Sequence, residues 1–243
     1  MTASAALSIR GISKHFRGLA AVTDVSFEVP AGAVQALIGP NGAGKTTIFN
    51  MIAGGFKPDS GAILLDGKPL VGKRPDEICR AGVGRTFQLV RPFNAMTVEE
   101  NVAVGALVWT DDLDEARDHA VGVLRLLGLE DKRFALPGNI TLPDRKCLEV
   151  ARALATKPRL LLLDEVMAGL RPTETDRMVG LFRDLNASTG LTILLIEHVM
   201  RAVMALSHSI VVLHHGQVIS AGTPEQVTRD PAVLECYLGE EAL

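Results

Sequence analysis

Over the first thirty residues apolar and polar positions alternate: Leu7, Ile9 and Ile12, then Val25, Phe27 and Val29, with Arg17-Gly18 between the two runs. A period of two turns one face of a strand inward, so the pattern predicts a hairpin-like start that ends at Pro30-Ala31-Gly32. Val34 to Ile38 is a short apolar strand, and Thr46 to Ala53 reads as a helix. Ala62 to Leu65 predicts a further strand, closed by the tight-turn pair Asp66-Gly67. Pro75 to Ala81 predicts a short helix, and Val83 to Phe87 a strand running into Gln88.

From Leu89 to about Lys157 the strand signal disappears. Thr97-Val98-Glu99-Glu100 has the form of a capping box ahead of the run Val102 to Val108. Leu113, Ala116, Ala120, Val123, Leu124 and Leu127 share one helical face, and the acids from Asp111 to Glu115 complement that helix's N-terminus. After Lys157-Pro158 the rhythm changes back: a strand at Leu160 to Leu163, a helix at Pro172 to Ser188, and strands at Leu191 to Ile196 and Ile210 to Leu213. Continuous apolar strands need cover on both faces, which predicts a buried parallel sheet. The expected fold is α/β, with an antiparallel β part and a core over 1–88 and 158–243, interrupted by a helical subdomain over 89–157.

At 243 residues the chain can bury one large core with a smaller inserted unit. A net charge of −3 and 4% aromatic residues argue against a nucleic-acid partner, which needs a basic surface and stacking platforms. Cys79, Cys147 and Cys236 lie far apart with no zinc-type spacing, and read as reduced thiols of a cytosolic protein. The opening MTASAALSIR lacks the apolar core of a signal peptide, and no apolar run approaches the roughly 20 residues of a membrane span. His214-His215 invites a metal reading, but adjacent strand residues point to opposite faces, so a turn entry is expected instead.

The chemistry centres on Gly39 to Thr47, GPNGAGKTT. It fits Gly-x4-Gly-Lys-Ser/Thr, a phosphate-binding loop: Gly39, Pro40, Asn41, Gly42, Ala43 and Gly44 turn backbone N–H groups onto phosphate oxygens. Lys45 reaches the β- and γ-phosphates, Thr46 ligates Mg²⁺, and Thr47 continues the cradle. A strand before it and a helix after it strengthen the match, because the helix N-terminus faces the anion. Downstream, Leu160 to Glu165 (LLLLDE) ends a strand where open α/β sheets bind ligands. Asp164 is placed to hold Mg²⁺ through water, and Glu165 to take a proton from an attacking water.

With GPNGAGKTT, RTFQ at Arg85 to Gln88, LLLLDE, and IEH ending at His198, in that order, the chain resembles the ATP-binding subunit of an ABC transporter over nearly its whole length. The resemblance implies a P-loop NTPase (RecA-like) core, ATP and Mg²⁺. It also makes Gln88 the residue that senses Mg²⁺ and the attacking water while its loop contacts a membrane subunit. By the same resemblance His198 bonds the γ-phosphate and Phe16 stacks on adenine. The family signature, Leu-Ser-Gly-Gly-Gln, falls on Ile140 to Asp144. Thr141 keeps a hydroxyl for the γ-phosphate, but Leu142 and Pro143 replace glycines, and Asp144 brings a negative charge that repels phosphate unless it is paired or turned away. Ala168 to Arg171 also lacks the family's usual aspartate after the second carboxylate.

Two such subunits face each other in the family, so the departures imply a heterodimer with a second ATP-binding subunit, two membrane-spanning permease subunits, and an extracytoplasmic solute-binding protein acting indirectly. RPF at Arg91 to Phe93, MTVEEN at Met96 to Asn101, AGTPE and YLGE look most like the branched-chain amino-acid importer type, in its RTFQ-bearing subunit. That places the chain peripherally on the cytoplasmic face of the inner (plasma) membrane, energising import of branched-chain amino acids or a related small solute. Two alternatives stay open: a soluble ABC-type ATPase of DNA repair or translation, and a phosphate-loop small-molecule kinase.

Overall fold

The computed structural model describes residues 5–87 and 90–238, the side chains of Tyr237 and Leu238 excepted. Two long antiparallel strands open it, β1 (Ala5–Phe16) and β2 (Leu19–Pro30). They are joined by Arg17-Gly18, both at positive φ, as a two-residue hairpin turn requires. Then follow β3 (Val34–Ile38), α1 (Lys45–Ile52), β4 (Ser60–Leu65), β5 (Lys68–Pro69), α2 (Pro75–Arg80) and β6 (Val83–Arg85). The helical stretch holds α3 (Val98–Ala106), α4 (Leu113–Leu126) and α5 (Leu142–Leu154). The chain returns to β7 (Leu160–Asp164), α6 (Pro172–Thr189), β8 (Thr192–Ile196), α7 (Met200–Leu206), β9 (Ser209–His214), β10 (Gln217–Gly222), α8 (Pro224–Val227) and α9 (Pro231–Leu238).

One sheet is antiparallel in the order β2-β1-β4-β5, and the other runs β10-β9-β3-β8-β7-β6. The second is parallel from β9 to β6, with β10 added antiparallel at its edge. The continuous apolar strands are explained by their two faces. Leu160, Leu162, Leu194, Ile196 and Leu37 pack with α1 against the antiparallel sheet, in a core that includes Leu7, Ile9, Ile12, Phe49 and Ile63. Leu161, Leu163, Ile193, Leu195 and Ile38 point the other way, onto Val102, Leu124, Leu148, Phe182 and Val203. Side chains of α3, α4 and α5 therefore share one apolar cluster with the sheet rather than closing a core of their own.

The expected capping box forms at Thr97, whose hydroxyl accepts from the Glu100 N–H, and Asp112 caps α4 through the N–H groups of Asp114 and Glu115. The strand expected to reach Phe87 stops at Arg85: Thr86 N–H still bonds Leu162 O at 3.0 Å, but Phe87 lies exposed beyond this edge. His215 leaves β9 with φ of 47°, so its ring lies against that of His214, with centroids 3.9 Å apart. The alternation expected to separate them ends one residue too early, although the pair does enter a turn. Among the described residues no helix is long and apolar enough to cross a membrane.

Candidate functional site

The loop between β3 and α1 passes so close to its neighbours that glycine is required at two points. Gly39 has φ of 145°, and a Cβ there would lie 2.1 Å from the Leu213 carbonyl oxygen. Gly44, at φ of 102°, caps α1, and a Cβ would meet Ala21 O at 2.6 Å. Lys45 is buried, its Nζ donating to Gly39 O at 2.7 Å and Pro40 O at 2.8 Å. Asn41, Gly42 and Thr46 are exposed around it. The first turn of α1 carries no acidic side chain, so the helix end stays favourable to an anion. Residues 41–47 border a cavity of about 520 Å³ with Phe16, Glu165 and His215 on its rim. Phe16, 41% exposed, is held edge-to-face by Phe56 at 5.2 Å between centroids.

The two carboxylates end the next-but-one strand of the same sheet edge. Asp164 closes β7 in register with Ile196 and is only 3% exposed. Arg85 Nη2 donates to Asp164 Oδ2 at 3.1 Å and Arg85 Nη1 to Asn50 Oδ1 at 2.7 Å, while Thr86 Oγ1 accepts from the Asp164 N–H. Burial pushes the Asp164 carboxyl above the usual carboxylate range, against the opposing pull of Arg85. Glu165 turns sharply with φ of 51°, a strained value for a side chain with a Cβ. Its Oε1 lies 2.7 Å from His198 Nε2, which donates to the carboxylate. The structure thus brings residues 39–47, Phe16, Asp164, Glu165 and His198 to one edge. Gln88 lies outside the described residues.

Thr141 stands apart, as the N-cap of α5. Its hydroxyl donates to Asp144 Oδ2 at 2.6 Å, and Lys132 Nζ reaches the same oxygen at 2.8 Å. Burial works against the Asp144 charge, but Lys132 and Thr141 outweigh it and hold the carboxyl below its ordinary range. The charge feared at this position is therefore paired. Pro143 sits in the first turn of α5, where it supplies no N–H, and Leu142 is 40% exposed. A larger hollow of about 730 Å³ lies beside Thr141, but it carries no residue of the phosphate loop, so cavity size does not mark the site. A third, of about 480 Å³, lies next to β6 and is lined by Asn50, Arg85, Phe87, Gly105 and Arg152.

Sequence reasoning missed Arg85 and Lys132. Arg85 heads the RTFQ run and could have been flagged as a cation beside a strand end; Lys132 has no local signal, since it meets Asp144 only through the fold.

A family profile described as "ABC transporter" matches residues 22–168, and one described as "Branched-chain amino acid ATP-binding cassette transporter" matches residues 217–242. The chain is 41% identical to the high-affinity branched-chain amino acid transport ATP-binding protein LivG of Escherichia coli, over 96% of this chain and 98% of that one. It is 39% identical to the corresponding protein BraF of Pseudomonas aeruginosa, with the same coverage. A solved ATP-binding cassette of an ABC transporter in its ADP conformation superposes with a TM-score of 0.88 at 31% identity, covering 97% of this chain and 99% of that chain. The chain belongs to the ABC transporter family as an ATP-binding subunit, and its activity is the ATP hydrolysis that energises transport.

Proposed function

We propose that the chain hydrolyses Mg²⁺-bound ATP as one half of a mixed pair of ATP-binding subunits on the cytoplasmic face of the inner membrane, energising import of branched-chain amino acids or a related small solute. The observation that carries the reading is Glu165 Oε1 held 2.7 Å from His198 Nε2 on the rim of the phosphate-loop cavity. The solute class is supported by the profile over residues 217–242 and by the names of the relatives.

In this reading Lys45 exchanges the carbonyls of Gly39 and Pro40 for β- and γ-phosphate oxygens, and residues 41–47 donate N–H groups to the rest. Phe16 stacks on the adenine. The donor set suits Mg²⁺, which takes one or two carboxylates and keeps its waters. Thr46 is exposed, Asp164 supplies the carboxylate, and among the described residues no cluster of three or more His, Cys, Asp or Glu could hold a metal ion. When bound, the ion neutralises charge on the β- and γ-oxygens. Glu165 accepts the proton of the attacking water as its oxygen bonds the γ-phosphorus and the bond to the leaving ADP oxygen breaks. His198 holds Glu165 and bonds the γ-phosphate, and Gln88 senses the ion and the water.

Thr141 to Asp144 face the partner's nucleotide in this arrangement. Pro143 without an N–H and a Thr141 hydroxyl already given to Asp144 support a slow reciprocal site, which is why the pair is mixed rather than self-paired. The hollow beside Arg85 and Phe87 supports a permease contact next to the Gln88 loop. The test is ATP turnover of the chain alone, and then assembled with its partner ATPase and permease in proteoliposomes with the solute-binding protein. Low turnover alone and stimulation by leucine, isoleucine or valine are expected. Robust turnover by the chain alone would sink the mixed pair, and indifference to those amino acids would exclude them as the solute and leave the related small solutes.

A further inference from the structure

Among the buried carboxylates without work in that mechanism, Glu197 lies nearest the reacting groups in sequence, next to His198. Glu197 follows β8 as Glu165 follows β7, and the preceding residues Ile196 and Asp164 are register partners, so the two glutamates leave neighbouring strands side by side. They then part. Glu165 reaches the cavity rim, whereas Glu197 is 2% exposed and turns inward. Its Oε1 accepts the Met167 N–H at 2.8 Å. Burial pushes the Glu197 carboxyl up, and the Met167 N–H opposes that rise.

Met167 belongs to the turn that begins at the strained Glu165, and Met167 is itself 1% exposed, so its N–H has no access to water as a substitute. The same turn is tied by Glu165 N–H to Ile196 O at 2.9 Å and by Ala168 N–H to Glu165 O at 3.2 Å. Buried Lys146 on α5 adds a donor to Glu165 O at 3.4 Å. These bonds hold Glu165 in a left-handed conformation that its own side chain disfavours. One carboxylate therefore clamps the turn that carries Glu165 to the end of β8, one residue before the His198 whose imidazole is bonded to Glu165.

We propose that Glu197 is a positioning residue for hydrolysis: it fixes the Glu165–His198 pair by accepting the Met167 N–H from the position next to His198, and never touches nucleotide itself. This rests on the reading of Glu165 as the proton acceptor. A shift of about 1 Å in a reacting group costs on the order of 100-fold in rate, so loss of the clamp acts on kcat and leaves nucleotide affinity in place.

The experiment compares Glu197→Ala, Glu197→Gln and Glu165→Gln in the full chain assembled with its partner ATPase and permease. It measures kcat and KM for ATP, and MgADP affinity by calorimetry. Glu197→Ala is expected to lower kcat roughly 10- to 100-fold with MgADP affinity within about twofold of the parent. Glu197→Gln keeps a carbonyl acceptor for the Met167 N–H but loses the charge that strengthens the bond, so it is expected to recover part of the rate and still fall short of the parent. An unchanged kcat in Glu197→Ala, a Gln variant no better than Ala, or a loss of MgADP affinity matching the loss of rate would each overturn the proposal. If the Ala chain does not fold, the Gln chain decides: a parental kcat overturns it, and a reduced kcat with retained affinity upholds it. If Glu165→Gln itself turns over normally, the reading of Glu165 has failed instead.

Discussion

Replacing Arg85 by Met isolates the charge that Asp164 depends on. The pair is buried, with side-chain exposures of 15% for Arg85 and 4% for Asp164. Removing one partner of a buried ion pair costs about 3–5 kcal/mol. The partial exposure of Arg85 puts this case at the low end. Asn50 Oδ1 loses its donor as well, but it borders the open hollow beside β6 and can take water, which limits that contribution to about 0.5–1 kcal/mol. The sum is about 3.5–4 kcal/mol, or roughly 7–16 °C in Tm for a chain of this size. The pH dependence has a defined sign. Burial already raises the Asp164 carboxyl, and losing Arg85 raises it further. The penalty is therefore full where Asp164 is ionised in both proteins, and shrinks as pH falls from the variant's folded pKa to the parent's, because a protonated Asp164 no longer needs the guanidinium. Urea denaturation at about pH 8 and about pH 5, with and without Asp164→Asn, reads both effects. In the Asn background the cost of Arg85→Met should fall to about 1 kcal/mol. Equal costs in both backgrounds and at both pH values would refute the argument that the pair is coupled through charge.

Gly39→Ala should destabilise the fold by about 3–5 kcal/mol and abolish nucleotide binding, because the new Cβ meets Leu213 O in a backbone conformation alanine resists; a parental melting curve contradicts this. Phe16→Ala should weaken ATP binding about 3- to 10-fold in a calorimetric titration while leaving Tm nearly unchanged, since the ring is 41% exposed; an unchanged affinity removes Phe16 from the site. Leu142→Gly with Pro143→Gly should raise turnover of the assembled complex by about tenfold, by restoring a donor at the start of α5. No gain would sink the idea of a slow reciprocal site.

Much of this was legible in the sequence for physical reasons that act locally. The hairpin at Arg17-Gly18, the capping box at Thr97 and the phosphate loop each depend on a few adjacent residues, and each forms where its residues stand. The leucines of β7 announced a strand with two covered faces, and both are covered. Where several segments decide together, the sequence was silent. β10 is half-exposed at the sheet edge and shows no strong alternation. The four-residue helix α8, capped by Thr223 and Gln226, carries too few apolar positions to show a helical period. Arg85 and Lys132 acquire meaning only when β6 meets β7 and when the segment after α4 meets α5. Asp144 shows the same limit from the other side: its charge was plain, its partner was not.

The most direct measurement is steady-state ATP hydrolysis by the chain assembled with its partner ATPase and permease, parent against Glu165→Gln, with MgATP binding measured in parallel. The account predicts a fall in turnover of at least about 100-fold, the scale of losing a general base, with MgATP binding retained because the phosphate loop and Asp164 are intact. Parental turnover in Glu165→Gln would contradict it.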